Sequence, residues 1–498
     1  MRHIAVLDEG TTSTRAVLIG EDGSIVTEQQ EKVSVFTPSA AKVEQDAKEI
    51  IERSIKVLKG ILDCATEKHL DVDCIAVTNQ RTNTTIMDRA TGDPVAPTIG
   101  WQDGRCQERV DQLGPEWGSK VFGTTNVNLA AASVALHAEW FLNSDPELRR
   151  RAEAGELILG VADTVVLKAL TGEHLTSTSN ASATGSNDFR AETQWWGEWL
   201  DFLGVPVSMY PEIRYDDAGF GVTKGDVLGY ELPIAAVMAD QQAALFGHAA
   251  FQPGTGKCTH GTGSFVDFNI GERVLETSVG LDNRIAWRIG SGKANCMEGG
   301  TWVSGSAIEW LIDDMKMLKA AKDVDAVCRS VTPSGLIVVP VLAGFASPYW
   351  DGTARGTAFG LSRHTSEADF VEATVTGVAH TVVDLLTAIM NQTGTLAASL
   401  AVDGGLARSD YLQQMTADLL GVPVERTANA GYVTAVGTAW IAGLARGIYA
   451  SPEEAAASRS IEARFEPQMS DAERQSRRDA WQDAVQRSLK WHDRLEKA

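Results

Sequence analysis

Twice along the chain a short strand runs into a glycine-threonine turn and reverses into a second strand. The first copy is Leu7-Asp8-Glu9-Gly10-Thr11-Thr12-Ser13-Thr14-Arg15, and the second turns at His260-Gly261-Thr262-Gly263-Ser264. About half of the 498 residues separate Gly10 from Gly261. Self-similarity at such a spacing is what a duplicated unit leaves behind. Two copies of a related fold facing one another would account for it.

The flanking residues suit such a unit. Residues 3–8, 15–19 and 25–29 read as strands of an antiparallel meander turning at Asp22-Gly23. An amphipathic helix over 47–66 and an alternating strand over 73–78 make the class mixed α/β, with helices packed on a sheet. Residues 104–203 read as mostly helical, and Trp195, Trp196 and Trp199 there read as packing. In the second half, strands are expected at 257–260, 265–270 and 400–403, and helices at 304–315, 367–393, 410–420 and 434–446. Ser451 and Ser470 each stand three residues before a glutamate, the capping-box spacing, and a charged helix runs from about Asp471. The length corresponds to about three domains, yet no Pro-, Ser- or Gly-rich linker divides the halves.

The first turn offers exposed backbone N–H groups, four hydroxyls and the Arg15 guanidinium, while Asp8 can position Mg²⁺ through water. That combination suits a nucleotide phosphate tail, and a plain polar hairpin is the alternative. A second such turn at Gly261-Thr262 could grip the same polyphosphate from the opposite side. Val402 to Ser409, a strand passing through Gly404-Gly405 into a helix, would let a nucleoside lie against bare backbone. Gly256-Lys257 is not a P-loop, because that pattern needs Gly at 251 and Ser or Thr at 258, where Phe251 and Cys258 stand. His-Glu-x-x-His and Gly-x-Ser-x-Gly are absent.

Composition narrows the partners. A formal charge of −22 argues against nucleic acid and anionic membranes. The apolar run at the N-terminus is too short for a secretory segment, no 18-residue apolar span is apparent, and the six cysteines show no Cys-x-x-Cys spacing. A cytoplasmic protein without membrane insertion is expected.

Several stretches together resemble the FGGY carbohydrate kinases, and within them the branch that phosphorylates glycerol. They are residues 7–15, Val77-Thr78-Asn79-Gln80-Arg81, Trp101-Gln102, the run from Ala239 to Gly247, Gly261-Thr262-Gly263, Pro348-Tyr349-Trp350-Asp351 with Ala354-Arg355-Gly356, and Asp403-Gly404-Gly405. The likeness spans roughly residues 3–447 in the family's order. It implies two actin-like, ribonuclease-H-like ATPase domains with a cleft between them. The first would be an acceptor-binding domain over 1–247 carrying the helical insertion 104–203; the second, a nucleotide-binding domain over 248–498 with a helical tail from about 451. It implies ATP and Mg²⁺ as cofactors and Asp240 as the base beside the acceptor hydroxyl. Asp8 would organise the metal, and Thr11, Thr12, Ser13, Arg15, Gly261 and Thr262 would hold the phosphates. Glu309, Gly404, Gly405 and Ser409 would meet the nucleoside, although Glu309 and Ser409 replace the usual Gln and Asn. Arg81, Trp101, Asp240, Gln241 and Phe265 would hold a small polyol or sugar. A homodimer or homotetramer agrees with family habit.

The acceptor pocket departs from that pattern. Glycerol-phosphorylating members carry Gln-Arg-Glu-Thr-Thr, whereas this chain reads Gln80-Arg81-Thr82-Asn83-Thr84-Thr85, without the acid; Ala132 falls where they carry a tyrosine. The pocket should be wider and less polar there. Asp103-Gly104-Arg105-Cys106 looks more like xylulokinases. The expected activity is transfer of the ATP γ-phosphoryl group to a terminal hydroxyl of glycerol or a related short polyol. A ketopentose kinase is the alternative within the class, and a non-catalytic actin-like ATP-binding protein is the alternative outside it.

Overall fold

The computed structural model describes residues 1–277 and 280–491. In the first half, β1 (Arg2–Glu9), β2 (Ser13–Gly20) and β3 (Ile25–Lys32) form the expected meander. The helix α1 (Ala47–Glu67) leads into β4 (Asp71–Asn79), and β5 (Ile234–Ala239) leads into α2 (Asp240–Gly247). The sheet order is β5-β4-β1-β2-β3, with β1, β4 and β5 parallel. Central strands are covered on both faces, so Ile4 to Leu7 and Cys74 to Val77 are continuous buried runs. At the open edge β3 instead exposes Glu28, Gln29 and Gln30, which discourages further pairing. Asp46 caps α1 by accepting from Lys48 N–H, and Ile50, Val57, Leu58, Ile61 and Leu62 recur at helical spacing on its buried face.

The second half contains β6 (Thr255–His260), β7 (Ser264–Gly271), β8 (Asp282–Ile289), β9 (Gly292–Thr301), α3 (Gly305–Asp313), α4 (Glu367–Thr393), β10 (Ser399–Gly404), α5 (Asp410–Leu420), β11 (Val424–Thr427), α6 (Val433–Ala445) and β12 (Ile461–Phe465). Its sheet order is β8-β9-β7-β6-β10-β11-β12. Within it, β9-β7-β6-β10-β11 repeats β3-β2-β1-β4-β5 in order and in direction: three antiparallel strands followed by two parallel additions. The duplication suggested by the two turns is therefore a duplication of topology. The edge strands β8 and β12 are additions to the second copy alone.

Helices α2 and α6 cross at backbone contact. A Cβ on Gly247 would lie 2.2 Å from the Val433 carbonyl oxygen, and one on Gly437 would lie 2.0 Å from that of Ala243. Only glycine permits that approach. Because α2 begins at Asp240, this crossing also fixes where Asp240 stands.

The stretch 104–203 is largely helical, as expected, and has its own core around Trp117, Phe141 and Trp199. It is not a free appendage, since Leu157–Gly160 pairs with Thr85–Asp88. Trp117 and Trp199 pack at 5.0 Å between ring centroids. Ser451 and Ser470 cap their helices as the spacing predicts, and the last helix covers Asp471–Ser488; the end of the expected tail, 492–498, lies outside the described residues. One expectation is corrected: α4 is long and apolar enough to cross a membrane, but 78% of its apolar window is buried inside the fold. It is a core helix. All six cysteines are free.

Candidate active site

In a parallel sheet, loops leaving the carboxyl ends of the strands are the usual place for ligands. Asp8 and Glu9 end β1, Gln80 and Arg81 follow β4, and Asp240 follows β5. Asp240 is the first residue of α2 and not its cap; the cap is Ala239, while the Asp240 Oδ1 accepts from Gln241 N–H at 2.7 Å. The Arg81 Nε lies 3.5 Å from the same oxygen, and the Arg81 Nη1 donates to Glu298 Oε2 at 2.5 Å. Arg81 thus ties the first half to β9 of the second.

Electrostatics mark this locus. Burial pushes the Asp240 carboxyl upward, opposed chiefly by Arg81. Burial likewise raises Asp8, whose Oδ2 accepts from Arg15 at 2.9 Å. Glu9 is pushed up to about 8 by burial, with Asp8 and Asp240 adding repulsion against the Gln80 hydrogen bond that lowers it. Burial, more than mutual repulsion, makes these three carboxyls resist ionisation, and a cation arriving here would favour their charged forms. Among the described residues no group of three His, Cys, Asp or Glu stands at metal-ligating separation. Such a site suits Mg²⁺ held by one carboxylate and completed by phosphate and water.

Both turns present their tips to solvent. Gly10 N–H donates to Ser13 O at 3.0 Å, leaving Thr12 exposed and Thr11 partly so, while the Thr11 hydroxyl accepts from Trp101 Nε1 at 3.0 Å. The Ser13 hydroxyl accepts from Gln30 Nε2. In the second turn Gly261 and Thr262 are exposed, and the N-terminus of α3 braces them: Gly305 N–H donates to Gly261 O and Ser306 Oγ to Thr262 O. Of the Gly404-Gly405 pair, Gly404 is structural. Its φ is 88°, and a Cβ there would sit 2.3 Å from His260 O. Gly405 has open space around it. Glu309 is exposed on α3. The Ser409 hydroxyl is committed, capping α5 and donating to Asp325 Oδ1 at 2.5 Å.

Arg81, Trp101, Asp240, Gln241 and Phe265 all line one cavity of about 440 Å³. Thr82 and Ala132 line it too. Asn83 does not: it is buried and accepts from Ala162 N–H. The wall at Leu129, Ala130 and Ala132 is apolar, as the lost acid and tyrosine predict. Another part of the lining is not, because Asp282, Arg284 and Glu298 reach the cavity from β8 and β9. These three escaped the sequence reading. Asp282 and Arg284 at alternate positions of one strand were the available signal, but only strand register shows that they stand beside Glu298. Lys257 was also missed. It is fully buried, ion-paired with Asp267 at 2.8 Å, and donates to the Gln241 side chain, so it positions a cavity residue. The Asp103–Arg105 pair proves structural. Arg105 grips Asp103 with two contacts of 2.8 Å, bonds Glu44 and stacks over Trp140, and neither residue lines the cavity.

Residues 3–247 match the N-terminal domain of the FGGY family of carbohydrate kinases, and residues 256–446 match its C-terminal domain. The glycerol kinase of Geobacillus kaustophilus is 38% identical over 98% of this chain and 99% of its own length; that of Halorhodospira halophila is 39% identical over 98% and 97%. The crystal structure of Plasmodium falciparum glycerol kinase with ADP superposes with a TM-score of 0.94 at 26% identity, covering 98% of each chain.

Proposed function

Since the chain belongs to the FGGY family of carbohydrate kinases and is an ATP-dependent phosphotransferase with an alcohol acceptor, we propose that it phosphorylates a terminal hydroxyl of glycerol or a related short polyol, with Asp240 as base. The observation that carries this reading is the Asp240 carboxylate, facing a 440 Å³ cavity at the carboxyl ends of β1, β4 and β5. Phosphoryl transfer passes through a loose transition state, so the protein's work is alignment and charge neutralisation. Asp240 accepts the acceptor proton as the new P–O bond forms. Arg15, Thr11, Thr12, Ser13, Gly261 and Thr262 hold the phosphates from both sides, and Gly405, having open space, receives the nucleoside together with Gly404, Glu309 and Ser409. Mg²⁺ carried with ATP would be held at Asp8 and would neutralise phosphate charge. In this reading 1–247 binds the acceptor and 248–498 the nucleotide, and the enzyme is cytoplasmic, in keeping with its six free thiols.

Three aromatic residues that line the cavity are open to water: Trp101 is 39% exposed, Phe265 37% and Trp350 57%. Drawing the two halves together over acceptor and ATP covers them and excludes the water that would otherwise hydrolyse ATP.

The test is ADP release measured over glycerol, erythritol, threitol, xylitol, ribitol, xylulose and ribulose. Acceptor-dependent ADP formation is expected with at least one, and none with any would refute the reading. The titration of Asp240 makes a separate prediction. A base must be ionised, and burial raises this carboxyl above the ordinary 3.8, with Asp8 adding to the rise and Arg81 and Lys257 opposing it. A profile of kcat/KM against pH should therefore lose activity toward acid with an apparent pKa above 3.8. A flat acid limb down to that value would remove Asp240 from the role.

A further inference from the structure

One wall of the acceptor cavity is a continuous rail of alternating charge. From Asp240 it passes to Arg81 at 3.5 Å, from Arg81 to Glu298 at 2.5 Å, from Glu298 to Arg284 at 3.2 Å, from Arg284 to Asp282 at 2.7 Å, and from Asp282 to Asn128 at 2.8 Å. All six residues line the cavity. Another part of the lining, Val127, Leu129, Ala130 and Ala132, is apolar. A cavity with hydrogen-bonding groups along one part of its lining and hydrocarbon along another matches a chain that carries a hydroxyl on every carbon.

The rail also limits the charge of what it takes. Three carboxylates alternate with two guanidiniums, and each internal ion is already paired with its neighbours. Coulombic contacts to Arg284 and Arg81 hold Glu298 well below the usual carboxylate range, and Glu298 in turn raises Arg81, so these groups stay ionised. An anionic acceptor would meet the one negative charge left in excess, and a cationic one would compete with guanidiniums already paired, whereas neutral hydroxyls can donate to the carboxylates and accept from the guanidiniums.

Length follows from the same geometry. A three-carbon acceptor with its reacting hydroxyl at Asp240 engages Arg81 and leaves the Asp282 end of the rail to water. A volume of 440 Å³ falls within the range of cavities that enclose ligands larger than glycerol.

Resting on the kinase reading above, we propose that the preferred acceptor is a neutral open-chain polyhydroxy compound of four or five carbons, its far end recognised by Asp282, Arg284 and Asn128.

The test compares kcat/KM for glycerol with that for erythritol, threitol, xylitol, ribitol, xylulose and ribulose, in the wild type and in Asp282→Ala and Asp282→Asn. Alditols and ketoses of equal length separate the two sources of this chemistry. At least one four- or five-carbon compound should exceed glycerol by about tenfold or more, the value of one hydrogen bond to a charged group. Asp282→Ala should lower the ratio of that compound to glycerol by a similar factor, and Asp282→Asn, which keeps an acceptor oxygen, by less. Acceptor-induced rises in melting temperature should follow the same order, including in Asp240→Asn, where turnover does not intervene. Glycerol as the best acceptor, or Asp282→Ala scaling every acceptor equally, would overturn the inference and leave the role of Asp240 standing. Absence of acceptor-dependent ADP formation with every compound of the series would overturn the kinase reading and this inference with it.

Discussion

Asp240→Asn is expected to lower acceptor-dependent turnover by roughly two to four orders of magnitude, to leave nucleotide affinity nearly unchanged, and to leave the melting temperature level or higher. The first effect follows from losing the proton acceptor while an isosteric side chain keeps the Gln241 N–H bond at the start of α2. The second follows because the two glycine-threonine turns and Arg15 bear the phosphates. The third is a matter of sign. A carboxyl whose pKa is raised by folding binds more protons folded than unfolded, so its contribution to stability falls as pH rises through the window between the two pKa values. Near neutral pH it therefore detracts from stability, and a neutral amide removes that cost. Arg81 keeps its stronger partner, Glu298, in the variant. Turnover, nucleotide titration and thermal melting on one preparation check all three. Wild-type turnover would end the assignment of Asp240 as base; a collapse of melting temperature would mean that its charge holds the fold together.

How much of this was legible in the sequence depended on whether a residue acts locally. The turns at Gly10 and Gly261, the meander and the bounds of α4 and α5 follow from short-range rules, and the structure agrees with them. The cavity residues Arg81, Trp101, Asp240, Gln241 and Phe265 stand together because each sits at a strand end that a motif marks. Glu298, Asp282 and Arg284 escaped notice because their place in the cavity depends on register between β8 and β9, where Asp282 lies opposite Glu298. Nothing local fixes that register, and a one-residue slip would turn each side chain to the other face. Ser409 is ambiguous in the other direction. A hydroxyl before a helix reads equally well as a ligand contact or as a cap, and here capping and Asp325 already engage it. The likeness of residues 103–106 to xylulokinases similarly reflects a buried ion pair rather than substrate contact.

The second large effect is expected far from the chemistry, at Gly437. Within a helix, glycine to alanine gains about 1 kcal/mol from propensity alone. Gly118→Ala, on the helix Gln107–Thr125 with open space around it, should realise part of that gain. Gly437→Ala should do the opposite, because its Cβ would lie 2.0 Å from Ala243 O and 2.6 Å from Gly247 N. Both are backbone atoms of α2 and cannot rotate away. Overpacking of this kind costs about 1 to 3 kcal/mol, which offsets or exceeds the propensity gain, so melting should fall by about one to two degrees where Gly118→Ala raises it. The strain also has a direction: relief requires α2 to move off α6, and α2 carries Asp240 at its first residue. A displacement of about 1 Å at a reacting group costs roughly a hundredfold in rate. Turnover of Gly437→Ala should therefore drop by one to two orders of magnitude even at temperatures where the variant is fully folded, with nucleotide affinity affected less. Unchanged melting and turnover in Gly437→Ala would show that α2 and α6 do not meet at the distance described, and would separate the placement of Asp240 from the packing between the two halves.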